Sequence, residues 1–341
     1  DELSDPPPLN MTRSFNPCLI SVLAVTFLAL FQQTIAFVPH ASRRSKHLRN
    51  SLVTEAASNT AIGKDDRVAV IGASGNIGRL VALRLADLGA CKVRAICRNP
   101  DRAAEFFAGT ESSEVEIVRA DTTDPESLST VLDDCDALVV VTGTTAFPTL
   151  AWRGGNTPQA VDAQGVKNVL AAWKEGTGGA KKRVVLMSSI GVERRKQFPF
   201  VILNAAGVLD AKAVGEDALR AAAAGNEKGE IGGGGWLESY SIVRPGQLIG
   251  GPYDNNYYLG TLAKLDRPAR SVLLWDETSK DGIQLGNGDE LLGDSLRSTV
   301  AELLVASLLA PTAAPDFSVV NVDGARPSEG ELAAMYQSLL V

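Results

Sequence analysis

Histidine is almost missing from this chain. Of 341 residues only two are histidine, His40 and His47, and both lie within the first sixty positions. The rest of the chain has no imidazole, which excludes Ser-His-Asp and Cys-His nucleophilic centres and any histidine-ligated metal site. Cysteine is scarce as well: four occur, and Cys91, Cys97 and Cys135 show no CxxC spacing. They imply neither a disulfide framework nor a zinc site. Cys91 and Cys97, at the ends of a predicted strand, read as small packing residues. No tyrosine precedes Tyr240. Excess positive charge is lacking too. With 33 Lys and Arg against 40 Asp and Glu, the net of −7 gives no electrostatic footprint for nucleic acid or an anionic membrane.

The first sixty residues stand apart from the remainder. Residues 1–10 are acidic and Pro-rich and read as translated upstream sequence or a non-native remnant, with Met11 opening the frame. Arg13, the apolar run Cys18 to Phe31 and the small-residue end at Ala36 make residues 11–36 a predicted signal peptide. A membrane anchor is the competing reading, but the run falls short of the roughly 18 apolar residues needed to span. Residues 37–62 carry Arg43, Arg44, Lys46 and Arg49 with several Ser and Thr and a single acid, Glu55. The junction Phe37-Val38-Pro39 after Ala36 resembles the cleavage site of bipartite leaders in algae with complex plastids. That resemblance implies a transit peptide and a plastid destination, with no stable membrane span in the mature form. Five of the 33 basic and four of the 40 acidic residues lie in these sixty positions, which leaves 28 against 36, a net of −8.

From residue 63 to 341 the pattern is that of one globular domain. Short apolar strands are predicted at 67–72, 92–97, 115–118, 137–141, 183–187 and 239–243. Helical periodicities run between them, at 77–85, from Asn99-Pro100-Asp101, and at 125–132, 159–173 and 208–223. Strands alternating with helices mean βαβ units, and these build an α/β fold, a doubly wound parallel Rossmann sheet. The glycine-rich stretch Gly225 to Gly235 reads as a surface insertion. Regularity weakens beyond Pro245, where Gly250, Gly251, Pro252, Asn255 and Asn256 interleave with Tyr253, Tyr257 and Tyr258. A helix at 298–309, a strand at 317–322 and a helix at 328–340 follow. We expect a small C-terminal substrate lobe over about 245–341.

The chemistry concentrates at the ends of the predicted strands. Gly72-Ala73-Ser74-Gly75-Asn76-Ile77-Gly78 follows a strand and opens a helix, the setting that makes a glycine triplet a dinucleotide phosphate loop. Gly72 allows the tight turn, Gly75 the approach of backbone to the diphosphate, and Gly78 the close packing of helix on strand. The phosphates then face the positive end of the helix, where Ser74 adds a hydroxyl donor. About twenty residues on, an NAD site usually carries Asp or Glu for the ribose 2′-hydroxyl. Here Arg98 stands instead, and a guanidinium suits a 2′-phosphate, which favours NADP over NAD. Arg94 is a second candidate or a solvated strand face. Asp121 and Thr122 after the third strand fit the adenine, Thr142 and Gly143 after the fourth allow close approach of backbone to the cofactor, and Ser188 and Ser189 after the fifth fit the nicotinamide end, with Ser189 a candidate catalytic residue. Each of these, taken singly, is equally a turn or a helix cap.

The stretches VIGASGNIG, VRAICRNPDRA, VRADTTDPESL, VDAQGVKNVLAA, VVLMSSIGV, YSIVRPGQL and GNGDELLGDSLRSTVAELLVASL together resemble the atypical short-chain dehydrogenase/reductases, the NAD(P)H-binding or NmrA-like families. The resemblance spans nearly all of the chain from Arg67. It implies an NADP(H)-binding protein that reduces a small molecule, with Lys212 as a candidate catalytic residue that also binds ribose. It also exposes a departure: where the family pairs Tyr with Lys four residues later, this chain has Val208 before Lys212. Arg244 matches the family's Val-Arg-Pro segment, as a structural ion pair or a guide for the substrate lobe. Tyr253, Tyr257 and Tyr258 are candidates to cover the nicotinamide, or are exposed packing. The expected partner is a small conjugated or carbonyl substrate, or else a plastid protein for which this chain senses NADP(H) without turnover. A sugar-nucleotide epimerase is disfavoured, because it too uses the tyrosine.

Overall fold

Strand β1 (Arg67–Ile71) explains the architecture around it. It pairs in parallel with β2 (Lys92–Cys97) on one side and β4 (Ala137–Val140) on the other. A parallel strand with neighbours on both sides is covered by helices above and below, so Val68 to Ile71 are all buried. Successive side chains point to opposite faces. Val68 and Val70 enter one core with Ala137 and Val139, while Ala69 and Ile71 enter the other with Leu138 and Val140.

The structure is a computed structural model that describes residues 62–107, 115–144, 150–176, 183–224, 235–249 and 280–340. The predicted leader, most of the glycine-rich stretch 225–235 and the segment with Tyr253, Tyr257 and Tyr258 lie outside the described residues. Within them β3 (Val115–Arg119), β5 (Arg183–Met187), β6 (Ser239–Pro245), β8 (Gly282–Asn287) and β10 (Asp316–Val322) complete a sheet of eight strands, ordered β3-β2-β1-β4-β5-β6-β10-β8. All neighbours run parallel except β8, which is antiparallel to β10 at the edge.

Helices cover both faces, as the doubly wound reading requires. On one side lie α1 (Gly78–Leu88), α2 (Pro100–Phe107), α7 (Arg297–Leu309) and α8 (Glu329–Gln337), which contribute Leu80, Phe107, Val300 and Tyr336 to a single core. On the other lie α3 (Glu126–Leu132), α4 (Gly165–Glu175) and α6 (Val208–Ala224), with Leu128, Val169, Trp173 and Leu219 in a second core. Trp173 is fully buried and donates its indole N–H to the Cys135 carbonyl at 2.9 Å. A short helix α5 (Phe200–Leu203) sits under a satellite cluster with Ile190, Val192 and Val208.

Two local features differ from the periodicity. The helix predicted from Gln159 begins as a π-helical turn, Gln159–Gln164, before the regular α4. Much of the segment after residue 245 is woven into the main sheet through β8 and β10. What stands outside that sheet is the pair β7 (Gln247–Ile249) and β9 (Asp294–Leu296). The hydrophobic pattern of β10 specifies a buried strand but not its neighbours, and its parallel register with β6 appears only in three dimensions.

Among the described residues, no helix is long and apolar enough to cross a membrane, and no group of three or more His, Cys, Asp or Glu is arranged to hold a metal ion.

Candidate functional site

The strand order reverses direction between β1 and β4, the position at the carboxyl ends of such a sheet where a ligand crevice lies. Gly72 turns the chain out of β1 at φ +90°, a conformation that side chains with a Cβ rarely adopt. A Cβ there would stand 3.2 Å from both the Thr142 methyl and its backbone nitrogen, so the two loops touch at this point. Gly78 is tighter still, since a Cβ on it would lie 2.2 Å from the Gly72 carbonyl oxygen. Only glycine lets α1 start so close to the turn.

Helix α1 begins with no side-chain cap and no acidic residue in its first turn. The Arg79 N–H donates to the Gly75 carbonyl at 3.1 Å, but no side chain competes for the positive end of the helix, an arrangement that favours an anion. Sequence reasoning passed over Arg79, which is buried and folds back on the loop. Its Nε donates to the Gly75 carbonyl at 3.3 Å and its Nη2 to Asn76 Oδ1 at 2.5 Å, which fixes the loop from behind. Ala73 donates its backbone N–H to the Ile96 carbonyl at 3.1 Å, and Ser74 stands half-buried beside it.

At the end of β2, Arg98 is exposed and donates from Nη1 to Asn156 Oδ1. Arg94 is corrected: it is neither a ribose ligand nor a solvated strand residue. It is buried, donating to Glu116 at 2.9 Å, Asp134 at 2.6 Å and the Val131 carbonyl at 2.8 Å. After β3, Asp121 Oδ1 accepts from the Thr123 N–H at 2.9 Å and hydroxyl at 2.8 Å. Thr122 is buried, with its carbonyl accepting from Asn168.

The most ordered chemistry lies after β4. Asp162, on the π-helical turn, is buried, and its Oδ1 accepts from Lys212 Nζ at 2.7 Å. Its Oδ2 accepts from the Thr144 N–H at 3.1 Å and hydroxyl at 2.5 Å. The exposed Gly143 runs past this pair, and a Cβ on it would lie 3.4 Å from both the carboxylate and the ammonium. The Thr142 hydroxyl is buried with no hydrogen-bond partner. It borders a cavity of about 10 Å³ shared with Asp162, Ser188 and Lys212, barely the volume of one water. Nothing in the local pattern around Asp162 announced this cluster, because its partner lies fifty residues further along.

Ser188 and Ser189 take other roles than a hydroxyl aimed at the nicotinamide. Ser188 is buried and donates to Glu216 Oε1 at 2.5 Å; Ser189 donates to the Ile190 carbonyl at 3.0 Å. Glu216 belongs to an ion cluster with the fully buried Arg244, which it meets at 2.8 Å, and with Asp316, Glu193 and Arg220. Burial disfavours the Arg244 charge, but the hydrogen bond and charge of Glu216, with Asp316 and Glu193, outweigh it and hold the guanidinium protonated. Arg244 is thus the structural ion pair. Burial also pushes the Cys97 thiol up, and the Cys135 thiol up to about 11, against the opposing Arg94 charge in the latter case.

A larger cleft of about 650 Å³ lies at the amino ends of β1 and β2, between Arg67, Cys91, Lys92 and Glu116. Two of its cations are paired, Arg67 with Asp134 and Lys92 with Asp65 at 3.7 Å. It lies at the end of the sheet opposite to the phosphate loop.

Two features fit a dinucleotide at the crevice: the uncapped, acid-free start of α1 and the buried Thr142 hydroxyl that lacks a partner. Together with the strand order they define a dinucleotide-binding Rossmann protein. The NAD(P)H-binding family model matches residues 72–272, more than half of the chain, and the chain belongs to that family. A search of curated proteins gave no match. Among solved structures, a Rossmann-fold NAD(P)-binding family protein from Shigella flexneri is 19% identical, covering 77% of this chain and 98% of its own at a TM-score of 0.47. An alcohol dehydrogenase from the archaeon Thermococcus sibiricus, complexed with 5-hydroxy-NADP, is 20% identical over 77% and 99%, with a TM-score of 0.49. BdcA in complex with NADPH is 14% identical over 78% and 98%, also at 0.49.

Proposed function

We propose that the protein is an NADP-dependent reductase of a small conjugated or carbonyl substrate that works without the customary tyrosine acid. The observation that carries this reading is the Asp162–Lys212 pair beside the unpartnered Thr142 hydroxyl, a charged and orienting set around a small cavity after β4. The bound nicotinamide supplies the hydride. The chain's own residues do the rest. The amides at the start of α1 would hold the diphosphate, and Arg98 would meet the 2′-phosphate. Lys212 would donate to a ribose hydroxyl, while Asp162 holds the ammonium in place and Thr144 fixes Asp162. With Val208 buried where the tyrosine would stand, the proton comes from water, which suits a substrate whose reduced form is a stabilised anion, such as a quinone or an enone. The plastid as place of action rests on the leader sequence.

The buried Val208 favours one other reading, a plastid regulatory or assembly protein that binds NADP(H) as a redox signal and turns nothing over. Titration with NADPH and NADH, followed by the loss of reduced-cofactor absorbance with quinones and enones, separates the two. The reductase reading expects turnover that falls at least about tenfold in Lys212→Ala. Firm NADPH binding with no turnover across the substrates would sink it and leave the sensor.

A further inference from the structure

Arg98 does not stand alone at the end of β2. Its Nη1 donates to the side-chain carbonyl of Asn156, a residue that follows β4 in the chain and reaches Arg98 although β1 lies between those strands in the sheet. Asn156 in turn donates from Nδ2 to the Arg153 carbonyl at 2.9 Å. One carboxamide therefore ties the ribose end of the crevice to a second loop. The loop is shaped for this. Gly154 and Gly155 are consecutive left-handed residues at φ +72° and +88°, and the Thr157 N–H closes back on the Gly155 carbonyl at 2.8 Å. Pro158 then caps the π-helical turn that carries Asp162. Arg153, exposed, rides on the same loop.

We propose that the 2′-phosphate half of the nucleotide site is built from both segments: Arg98 as the first cation, Arg153 as the second, and Asn156 as the positioning residue that joins them. This rests on the reading of Arg98 as the residue that faces the 2′-phosphate. The charge balance favours a second cation: a phosphate monoester carries close to two negative charges at neutral pH, and Arg98 neutralises one. Asn156 takes one of the five guanidinium donors and leaves enough for a bidentate contact. An exposed arginine otherwise samples many rotamers, so holding it beforehand lowers the ordering cost of binding. The amide adds no charge of its own, so it orients Arg98 without competing for the anion.

The test is the dissociation constant of NADPH and of NADH, by calorimetry on the full chain, for the wild type, Arg98→Ala, Arg153→Ala and Asn156→Ala. Arg153→Ala and Asn156→Ala are each expected to weaken NADPH binding by about tenfold while NADH binding stays within about twofold. Unchanged NADH affinity also certifies that each variant is folded. In the Arg98→Ala background, Asn156→Ala is expected to lose most of its effect on NADPH and Arg153→Ala to keep its own. If Arg98→Ala lowers the preference for NADPH but either loop variant leaves it unchanged, the two-segment site is overturned. If Arg98→Ala itself leaves the preference unchanged, the NADP reading fails first.

Discussion

At the scale of single residues, the site depends on close approach and on paired charge. Gly78 has no room for a methyl group, since its Cβ would overlap the Gly72 carbonyl at 2.2 Å. Gly78→Ala must push α1 off the turn, and dinucleotide affinity is expected to fall by more than about tenfold, read by calorimetry. Asp162 has a different task. With its carboxylate gone, Asp162→Ala leaves the largely buried Lys212 ammonium without its partner and Thr144 without its acceptor. Stability is expected to drop by about 3 kcal/mol in urea unfolding. Cys135 gives a pH test. Its thiol is pushed up from 9.0 to about 11 by burial, so the folded state holds the proton more firmly than the unfolded one. That contribution is intact below pH 9, and it is lost as the pH rises towards 11. Relative to Cys135→Ala, the wild type is expected to lose stability across that window, and a rising difference would contradict the burial.

At the scale of elements, β6, β10 and α6 are joined by charge as well as by packing. Arg244 from β6 is fully buried against Glu216 of α6 and Asp316 of β10, and Ser188 at the end of β5 closes on the same Glu216. Arg244→Met keeps the volume but leaves Glu216 buried without its main counter-charge. Unfolding free energy is expected to fall by about 3–5 kcal/mol. Arg220, also bound to Glu216 and Asp316, limits the loss, so Arg220→Met in the same background is expected to cost more than either variant alone. Denaturant midpoints of the two single variants and the double variant read this directly. The elements on the crevice side show how position serves the site. The π-helical turn before α4 sets Asp162 against Lys212, and Gly215 of α6 passes so close that a Cβ would lie 2.6 Å from the Asp162 carbonyl.

For the whole molecule, the sheet is the common wall of two cores, and the C-terminal part of the chain completes it. Strand β10 is an inner strand between β6 and β8, and Phe317 on it is fully buried, with its ring edge-on to Tyr336 at 5.8 Å between centroids. Ending the chain after Pro311 strips β6 of one of its two neighbours and opens the core under α7. The truncated protein is expected to lose cooperative thermal unfolding by circular dichroism, while NADPH raises the melting temperature of the intact chain only. A truncated form that melts cooperatively and responds to NADPH would show the last strand to be dispensable.

Local chemistry made the strands, most helices and the phosphate loop legible in the sequence. Buried parallel strands read as short, largely apolar runs, so β4 and β5 fall where Ala137 to Val140 and Val184 to Met187 place them. The glycine spacing carries its own meaning because each glycine answers a backbone demand within a few residues. What the tertiary structure decided are the relations between distant residues. Arg94 reads as a second phosphate ligand or a solvated strand face until Glu116, Asp134 and the Val131 carbonyl close around it. Asp162 and Lys212 lie on separate helices, and Asn156 and Arg98 on loops either side of β1, with no periodicity linking them. The sequence by itself determined a dinucleotide loop between strand and helix, since hydrophobic burial and backbone sterics act locally. Only the folded sheet decided which charges meet across its carboxyl edge, because electrostatic pairing depends on distance in space and not along the chain.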